Sequence, residues 1–227
     1  MGVSIRKSPN GVRSERKSPQ RASFRPELGQ RVFKSAVEIY EASFPKNERQ
    51  PTNVIVERIL SRKEILYLGR VKGEVVLAAL VFPLEGTDFL LLDYVAVKKQ
   101  HRGRGIGRQF LSFLLDLLKH SSKRFVFELE DPALGRNKSQ RRRRISLYRE
   151  FGAKQLAGVS YILPKLSGSR TTKMVMMIMP CREETTLSGE LVRTLLTTIY
   201  RDVYNLDSGD PLVKSTLSTV GEMVEVV

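Results

Sequence analysis

The sequence predicts an α/β (α+β) fold in which helices flank a mixed central sheet. Apolar residues recur at helical spacing from about residue 30. Short apolar runs separated by turn residues come next, as is typical of hairpins. Two amphipathic helices then alternate with later strands, which favours crossover connections. The resulting order of helices and strands predicts a layered domain with one sheet as its centre.

The first helices and strands are predicted from the spacing of apolar residues and from the proline and glycine residues that end them. A helix with Phe33 and Tyr40 on its apolar face ends at Pro45, and a turn around Gly73 joins two strands. Glu85 to Asp88 form the turn before the next strand. The predicted elements are a helix over 32–44, a helix over 53–62 and strands over 64–70, 75–85 and 89–97.

The later elements alternate between helix and strand. Ile106, Phe110 and Leu114 line one face of a helix, Phe125 and Phe127 alternate along a strand, and a glycine at 152 caps the second helix. The predicted elements are a helix over 105–120, a strand over 125–129, a helix over 139–151 and strands over 159–164 and 172–180. Helices over 187–204 and 211–225 complete the prediction as a helical C-terminal extension.

Charge divides the chain into three parts. Residues 1–27 hold seven basic and two acidic side chains and repeat Arg-Lys-Ser-Pro without apolar periodicity, which predicts a basic disordered tail. Residues 28–181 form the predicted folded domain and contribute most of the net charge of +15. Residues 182–227 are acidic and are expected to pack against this basic body. Such a field favours polyanions, so the tail is a candidate for nonspecific polyanion contact.

Composition excludes several classes of site. The single cysteine, Cys181, permits no intrachain disulfide, and one cysteine with two histidines cannot build a Cys/His zinc site, so we expect no metal. No apolar run is long enough for a membrane span. We therefore expect a cytoplasmic protein, although the Ser- and Arg-rich, acid-poor leader also fits import into an organelle.

The most informative segment is the loop over 98–108, which runs from an apolar strand into a helix. Its glycines, Gly103, Gly105 and Gly107, let the backbone approach an anion closely, and the helix start offers unpaired N–H groups. This arrangement predicts a phosphate cradle. The spacing fits neither a Walker A loop nor a dinucleotide fingerprint.

The segment 102–107, Arg-Gly-Arg-Gly-Ile-Gly, fits Arg/Gln-x-x-Gly-x-Gly/Ala, and with it the chain resembles the GNAT superfamily of acetyl-CoA-dependent N-acyltransferases. The helix that contains Tyr148 and ends at Gly152 resembles the second CoA-side motif of that family. The resemblance covers about residues 30–180, which makes 28–181 the predicted acetyltransferase domain. It implies that the fourth strand splays from the fifth, with the pantetheine arm on one strand and the pyrophosphate on the loop. The implied cofactor-binding residues are Val95, Ala96, Val97, Arg102, Gly103, Arg104, Gly105, Ile106, Gly107 and Arg108.

The resemblance also implies a reaction, acetyl transfer from acetyl-CoA to a primary amine in a ternary complex. Tyr148 is the implied general acid. The base is open: Glu128 is preferred slightly over Asp93, and Glu130 shares its strand face with Glu128. Alternatively, these acids pair with nearby arginines, or no dedicated base exists. The expected acceptor is a small-molecule or peptide amine, and Glu48 would suit a cationic one.

One departure and one competing function accompany this prediction. The helix of Tyr148 has Arg141–Arg144 where the family often has an asparagine that contacts CoA, and Asn137 lies too far upstream to replace it. These arginines either approach CoA phosphates or form a solvated helix start. The competing function is a nucleic-acid-associated protein that uses a GNAT-like scaffold and a basic tail, although the sequence contains no standard nucleic-acid-binding motif.

Overall fold

The computed structural model of the chain describes residues 20–26, 30–44, 49–134, 137–166, 171–179 and 184–227. Within these ranges the helices lie close to their predicted positions up to residue 150. The α-helices are α1 (Gln30–Ser43), α2 (Thr52–Leu60), α3 (Ile106–Leu118), α4 (Lys138–Glu150), α5 (Gly189–Thr198) and α6 (Pro211–Leu217).

The strands form one large mixed sheet and one small antiparallel pair. They are β1 (Ser23–Pro26), β2 (Ile65–Val71), β3 (Glu74–Pro83), β4 (Phe89–Val97), β5 (Arg124–Glu130), β6 (Lys154–Gln155), β7 (Tyr161–Leu163), β8 (Thr172–Met179), β9 (Thr186–Ser188) and β10 (Met223–Glu225). The large sheet has the order β1-β2-β3-β4-β5-β8-β6, and β7 also pairs with β8. Only β4 and β5 run parallel in it, and α3 is the crossover between them. The predicted mixed sheet flanked by helices is confirmed.

The two faces of the sheet are covered by different helices. Phe127 and Met177 pack against α3 and α4, whereas their neighbours Val126 and Met176 point to the opposite face, as the two-residue period of a strand requires. On that opposite face α1 and α2 cover β2 to β4, and the segment from 184 onward covers β5 and β8. The extension is therefore part of the core.

The N-terminal boundary differs from the prediction. Ser23–Pro26 was expected in a disordered tail but pairs antiparallel with β2 at the edge of the sheet. Phe24 lies opposite Gly69, where a Cβ would stand 2.8 Å from its ring, and its ring contacts Phe110 at 5.4 Å. One aromatic side chain amid polar residues gives no periodicity, so the strand is invisible in the sequence. Residues 1–19 lie outside the described residues.

The extension is less helical than predicted. The helix expected over 187–204 begins with β9, continues as α5 and ends in a π-helical segment, Ile199–Val203. The helix expected over 211–225 stops after α6, and β10 then returns to pair with β9. Helical spacing alone could not reveal this pairing, because β9 and β10 have three residues each.

A gap opens between β4 and β5 and positions the candidate site. Their pairing spans only Phe89–Leu91 and Arg124–Val126. Across β3, Leu80 pairs with Tyr94 and Val81 with Leu92, so Asp93 is the extra residue of a bulge. A bulge bends its strand, and here it lies where β4 leaves β5. The implied splay of the two strands is present.

Candidate functional site

The loop before α3 presents a row of unused backbone donors. Gly103 and Gly105 have φ of 76° and 79°, a left-handed conformation that favours glycine. The first intrahelical bond runs from the Gln109 N–H to the Gly105 carbonyl at 3.0 Å. No described residue accepts a hydrogen bond from the N–H groups of 103–108. These amides and the positive end of the helix dipole suit a phosphate group.

Gly107 keeps open space above this row. It lies in the first turn of α3, and a Cβ built on it would meet no protein atom within 4 Å. The protein's own packing therefore does not require glycine at this position. Close approach of a ligand to the backbone is the remaining physical reason for it.

Arg102 has a different role from the one implied by the resemblance. Its N–H donates to the Lys99 carbonyl at 3.3 Å, so it does not belong to the free row. Its Nε donates to the Val97 carbonyl at 2.8 Å, and its Nη2 donates to Ser43 Oγ at 3.1 Å. Arg102 thus ties the loop to the end of β4 and to α1. The Arg108 guanidinium forms an exposed ion pair with Glu150.

Two of the three residues predicted on β4 direct backbone groups toward the gap. The Lys98 N–H donates to the Val76 carbonyl in β3 at 2.8 Å. Backbone direction alternates along a strand, so Ala96 also faces β3, whereas Val95 and Val97 face the side where β5 has separated. Ala96 is therefore corrected to a residue that pairs within the sheet. Arg102 already donates to the Val97 carbonyl, so the groups left for an extended ligand are the backbone of Val95 and the Val97 N–H.

The gap leads into a cleft of about 870 Å³, its open mouth included. The lining side chains include both predicted catalytic residues and aromatic groups from five parts of the chain. The polar and aromatic lining residues are Phe44, Asp93, Tyr94, Phe127, Glu128, Glu130, Arg144, Tyr148, Thr172 and Tyr204.

Tyr148 stands on the α4 side of this cleft. Its ring packs on Phe127 with 4.5 Å between centroids, and only 5% of the residue is exposed. Its hydroxyl makes no hydrogen bond to another described residue. Burial raises the pKa of Tyr148 to about 12, and the nearby Arg144 opposes this shift. The side chain is thus protonated at neutral pH and can donate a proton.

Glu128 lies on the other side of the same cleft. Its carboxylate accepts hydrogen bonds from two tyrosines, Tyr161 through Oε1 and Tyr204 through Oε2, the latter at 2.5 Å. Burial raises the pKa of Glu128 to about 7, and the Asp93 charge adds to this while the two hydroxyls lower it. A carboxylate with such a pKa is suited to accept protons near neutral pH.

Asp93, the alternative base, is less available. Its side chain is only 4% exposed, and its Oδ2 lies 4.0 Å from Arg58 Nη1. Its acidic neighbour Glu64 is 1% exposed, and Arg58 opposes the effect of burial on both carboxyl groups. Burial, with the Glu64 charge, holds the pKa of Asp93 well above its usual range. Asp93 is thus held toward its protonated form at the wall of the cleft, which makes it a poor proton acceptor.

Glu64→Gln should remove a pH-dependent loss of stability. Burial raises the pKa of Glu64 from 4.5 to about 7, so the folded state holds an extra proton in that window and the free energy of unfolding falls as pH rises through it. A neutral amide should raise the free energy of unfolding at pH 8 by about 1–3 kcal/mol. Urea denaturation between pH 4 and 8 measures this. The exposed Glu57→Gln is the control, and equal pH slopes for wild type and Glu64→Gln would contradict the prediction.

Glu130 and the arginine run pair with each other, as one alternative in the sequence suggested. Arg141 donates to Glu130 and to the Leu134 carbonyl, and Arg144 Nη1 lies 3.9 Å from Glu130. Arg142 and Arg143 are exposed. Arg141 thus secures the loop before α4, and the charge of Glu130 is compensated. Glu48 lies outside the described residues.

Sequence reasoning missed four residues around Glu128 and Asp93. Tyr161 and Tyr204 reach Glu128 from β7 and from the extension, and Glu64 and Arg58 reach Asp93 from the start of β2 and from α2. Nothing in their local spacing marks them, because each acts across a tertiary contact. Glu64 alone had a signal in the sequence: an acidic residue at the start of an apolar strand indicates a buried carboxyl group.

The described residues contain neither a candidate metal site nor a candidate membrane span. In that part of the chain no three His, Cys, Asp or Glu side chains are grouped so that they could hold a metal ion. None of its helices combines the length and apolar character needed to cross a bilayer.

Comparison with known proteins agrees with this geometry. Residues 62–152 match the family model of the acetyltransferase (GNAT) domain, a range that contains β4, the loop, α3, β5 and α4. No protein of curated function matches the chain.

Solved structures share the fold across most of the chain. A GNAT-family protein from Bacteroides thetaiotaomicron superposes with a TM-score of 0.67 at 18% identity, over 82% of this chain and 99% of that one. The ribosomal-protein-S18-alanine N-acetyltransferase from Escherichia coli gives 0.52 at 18% identity, over 72% and 98%. A protein from Salmonella typhimurium, whose structure contains its cofactor acetyl-CoA, gives 0.52 at 20% identity, over 72% and 96%. Residues 62–152 therefore match a GNAT acetyltransferase domain, and the chain shares its fold with these proteins.

Proposed function

We propose that this protein transfers the acetyl group of acetyl-CoA to a primary amine, which gives an amide and free CoA. One observation supports this most strongly. The unused amides of 103–108 lie at the end of a splayed strand, and the cleft beside that strand contains a candidate base and a candidate acid. These three features follow one another along the site in the order of the pyrophosphate, the extended arm and the reacting thioester of acetyl-CoA.

The residues that fit the cofactor are those with open donors. The row of amides and the space above Gly107 would receive the diphosphate, and the backbone of Val95 and the Val97 N–H would pair with the pantetheine arm. When bound, acetyl-CoA supplies the activated acetyl group. Arg102 would act indirectly, since it holds the loop against β4.

The catalytic roles follow from protonation. Glu128 accepts a proton from the ammonium form of the amine, directly or through water, so that the nitrogen lone pair can attack the thioester carbon. A C–N bond forms and the C–S bond breaks. Tyr148 supplies a proton to the departing sulfur, the second proton lost by the nitrogen restores Tyr148, and the first is released from Glu128 to solvent. The raised pKa of each group keeps Glu128 able to titrate and Tyr148 protonated near pH 7.

Release of free thiol from acetyl-CoA tests the proposal. The acceptor panel should contain polyamines, aminoglycosides, amino acids and short peptides, among them one that begins with alanine, the residue that the Escherichia coli enzyme of this fold acetylates. We expect amine-dependent thiol release and an acetylated product of +42 Da by mass spectrometry. Binding of acetyl-CoA without transfer to any amine would argue against this function.

Tyr148→Phe should lower kcat by about 10- to 100-fold and leave the affinity for acetyl-CoA nearly unchanged, because only the proton donor is lost. Phenylalanine keeps the packing on Phe127, whereas alanine would open a cavity in a residue that is 5% exposed. Steady-state kinetics and calorimetry measure the two effects. Tyr67→Phe, on the core cluster of the same face, is the control. A normal kcat for Tyr148→Phe would assign the proton donor elsewhere.

A further inference from the structure

The two hydrogen bonds on Glu128 come from outside the segment that the family model matches. Tyr161 lies in β7, and Tyr204 lies in the extension, 52 residues beyond the end of that match at 152. Each hydroxyl donates to a different carboxylate oxygen, Tyr161 to Oε1 and Tyr204 to Oε2. An ionised carboxylate accepts strongly at both oxygens, whereas protonation weakens the acceptor at the oxygen that holds the proton, so two donated hydroxyls favour the ionised form.

The fold holds Tyr204 firmly in this position. The preceding carbonyl, that of Val203, accepts from Arg58 Nη2 and, at 3.5 Å, from Gln50 Nε2. Just after Tyr204, the Leu206 N–H donates to the Tyr200 carbonyl at 2.9 Å. Val203 itself is buried, with 1% exposed. The extension is thus anchored to α2 and to the loop before it at the point where it reaches the cleft.

The helix before Tyr204 is irregular in a way that aims this side chain. Ile199–Val203 is a π-helical segment at the end of α5. Such a segment inserts about one residue per turn, and it therefore rotates the residues after it by about 100° relative to a regular α-helix. π-Helical segments are rare and are found frequently at functional sites. Here the segment precedes Tyr204, whose ring packs at the edge of the apolar core that α5 faces and whose hydroxyl reaches Glu128.

From this geometry we propose that Tyr204 and Tyr161 are positioning residues, which hold the Glu128 carboxylate ionised and oriented toward the acceptor amine. The inference rests on the proposed function, because it assigns Glu128 its role as base. It adds that the extension supplies part of the catalytic arrangement. The family domain alone would leave Glu128 without either of these two hydroxyl donors.

The other charged and titratable groups around Glu128 have opposing effects on its ionisation. Asp93, from β4, opposes ionisation of Glu128, and the hydroxyls of Tyr161 and Tyr204 favour it. Arg144 and Tyr148 of α4 line the same cleft, and Glu130 on β5 is already paired with Arg141. Removal of one hydroxyl should therefore shift the balance toward the protonated carboxyl.

Tyr204→Phe tests the proposal, because it removes the hydroxyl and keeps the ring. The Glu128 carboxyl titration is read from the ¹³C shift of its side-chain carbonyl carbon in protein labelled at glutamate, assigned by its loss in Glu128→Gln. We expect the midpoint to rise by about one pH unit, and the acidic limb of kcat/KM to move with it. At pH 9, where Glu128 is ionised in both proteins, the variant should recover to within about threefold of the wild-type rate.

Tyr200→Phe is the matched control. Tyr200 lies four residues earlier in the extension, and its hydroxyl bonds to the Ile162 carbonyl at 2.8 Å and to Thr216, not to Glu128. It should leave the Glu128 midpoint unchanged whatever its effect on stability. Tyr161→Phe should raise the midpoint as Tyr204→Phe does.

The outcomes separate the two proposals. An unmoved Glu128 midpoint in Tyr204→Phe, or an equal shift in Tyr200→Phe, would overturn the positioning role even if the wild type transfers acetyl groups. A raised midpoint together with an unmoved acidic limb would overturn the link to catalysis. A wild type that acetylates no amine would refute the proposed function, and the carbon titration would still decide whether the two hydroxyls hold Glu128 ionised.

Discussion

Gly107→Val should abolish acetyl-CoA binding while the thermal unfolding midpoint stays within a few degrees of wild type. Gly107 is in α3 with ordinary helical backbone, and a Cβ there meets no protein atom within 4 Å. Helix propensity favours valine over glycine slightly, so the fold loses nothing. The added methyl groups would occupy the space directly above the free amides. We expect the Kd for acetyl-CoA to rise by at least about 100-fold, which corresponds to about 2.7 kcal/mol.

Calorimetric titration with acetyl-CoA and thermal denaturation measure the two quantities. Ser112→Val is the matched control, because it places the same side chain on an exposed position of the same helix, two turns from the loop. Gly105 is a poorer test site, since its φ of 79° would strain any other residue and confuse binding with folding. Normal binding by Gly107→Val would show that the diphosphate does not lie on these amides.

Glu128→Gln should lower kcat by about 10²–10⁴-fold with little change in the Kd for acetyl-CoA. The amide has the size of the carboxyl group but cannot take a proton from the amine, and general-base catalysis contributes about that factor. The residual rate should follow the free amine concentration and rise with pH beyond neutrality, without the inflection near pH 7 that the wild type shows.

Glu130→Gln is the control for this prediction. Glu130 lies two residues along the same strand and lines the same cleft, but Arg141 already compensates its charge. It should retain kcat within about fivefold of wild type. Full activity of Glu128→Gln combined with an inactive Asp93→Asn would transfer the role of base to Asp93, in spite of its burial.

The sequence predicted those parts of the site that depend on neighbouring residues. The glycine spacing at 103–107 reports directly on backbone geometry, and both left-handed glycines lie within it. Helical and alternating periods likewise located β4, α3 and α4, because each period depends only on which face of an element is buried. Tyr148 was assigned through the resemblance of its helix to the second CoA-side motif of the family. These features need no knowledge of the remainder of the chain.

The remaining features depend on contacts between distant segments. Whether the Arg102 amide is free depends on the turn at Lys99, and whether Ala96 faces β3 depends on the strand register. The environment of Glu128 depends on Tyr204, 76 residues away. Residue type and spacing cannot reveal these relations, since the same tyrosine would satisfy the core pattern of α5 equally well. Electrostatic properties of buried acids are therefore the least predictable part of the site.

The shared core of sheet and extension has a consequence for cooperativity. Val126, Met176 and Ile178 of the sheet are covered by Leu195 and Ile199 of the extension, and all five are fully buried. A protein cut at residue 181 would expose this apolar surface to water, and one cut at 152 would lose Met176 and Ile178 as well. The segment that matches the family model is therefore smaller than the cooperative folding unit. Changes in solvent or temperature that destabilise α5 and α6 should thus unfold the whole structure in a single transition.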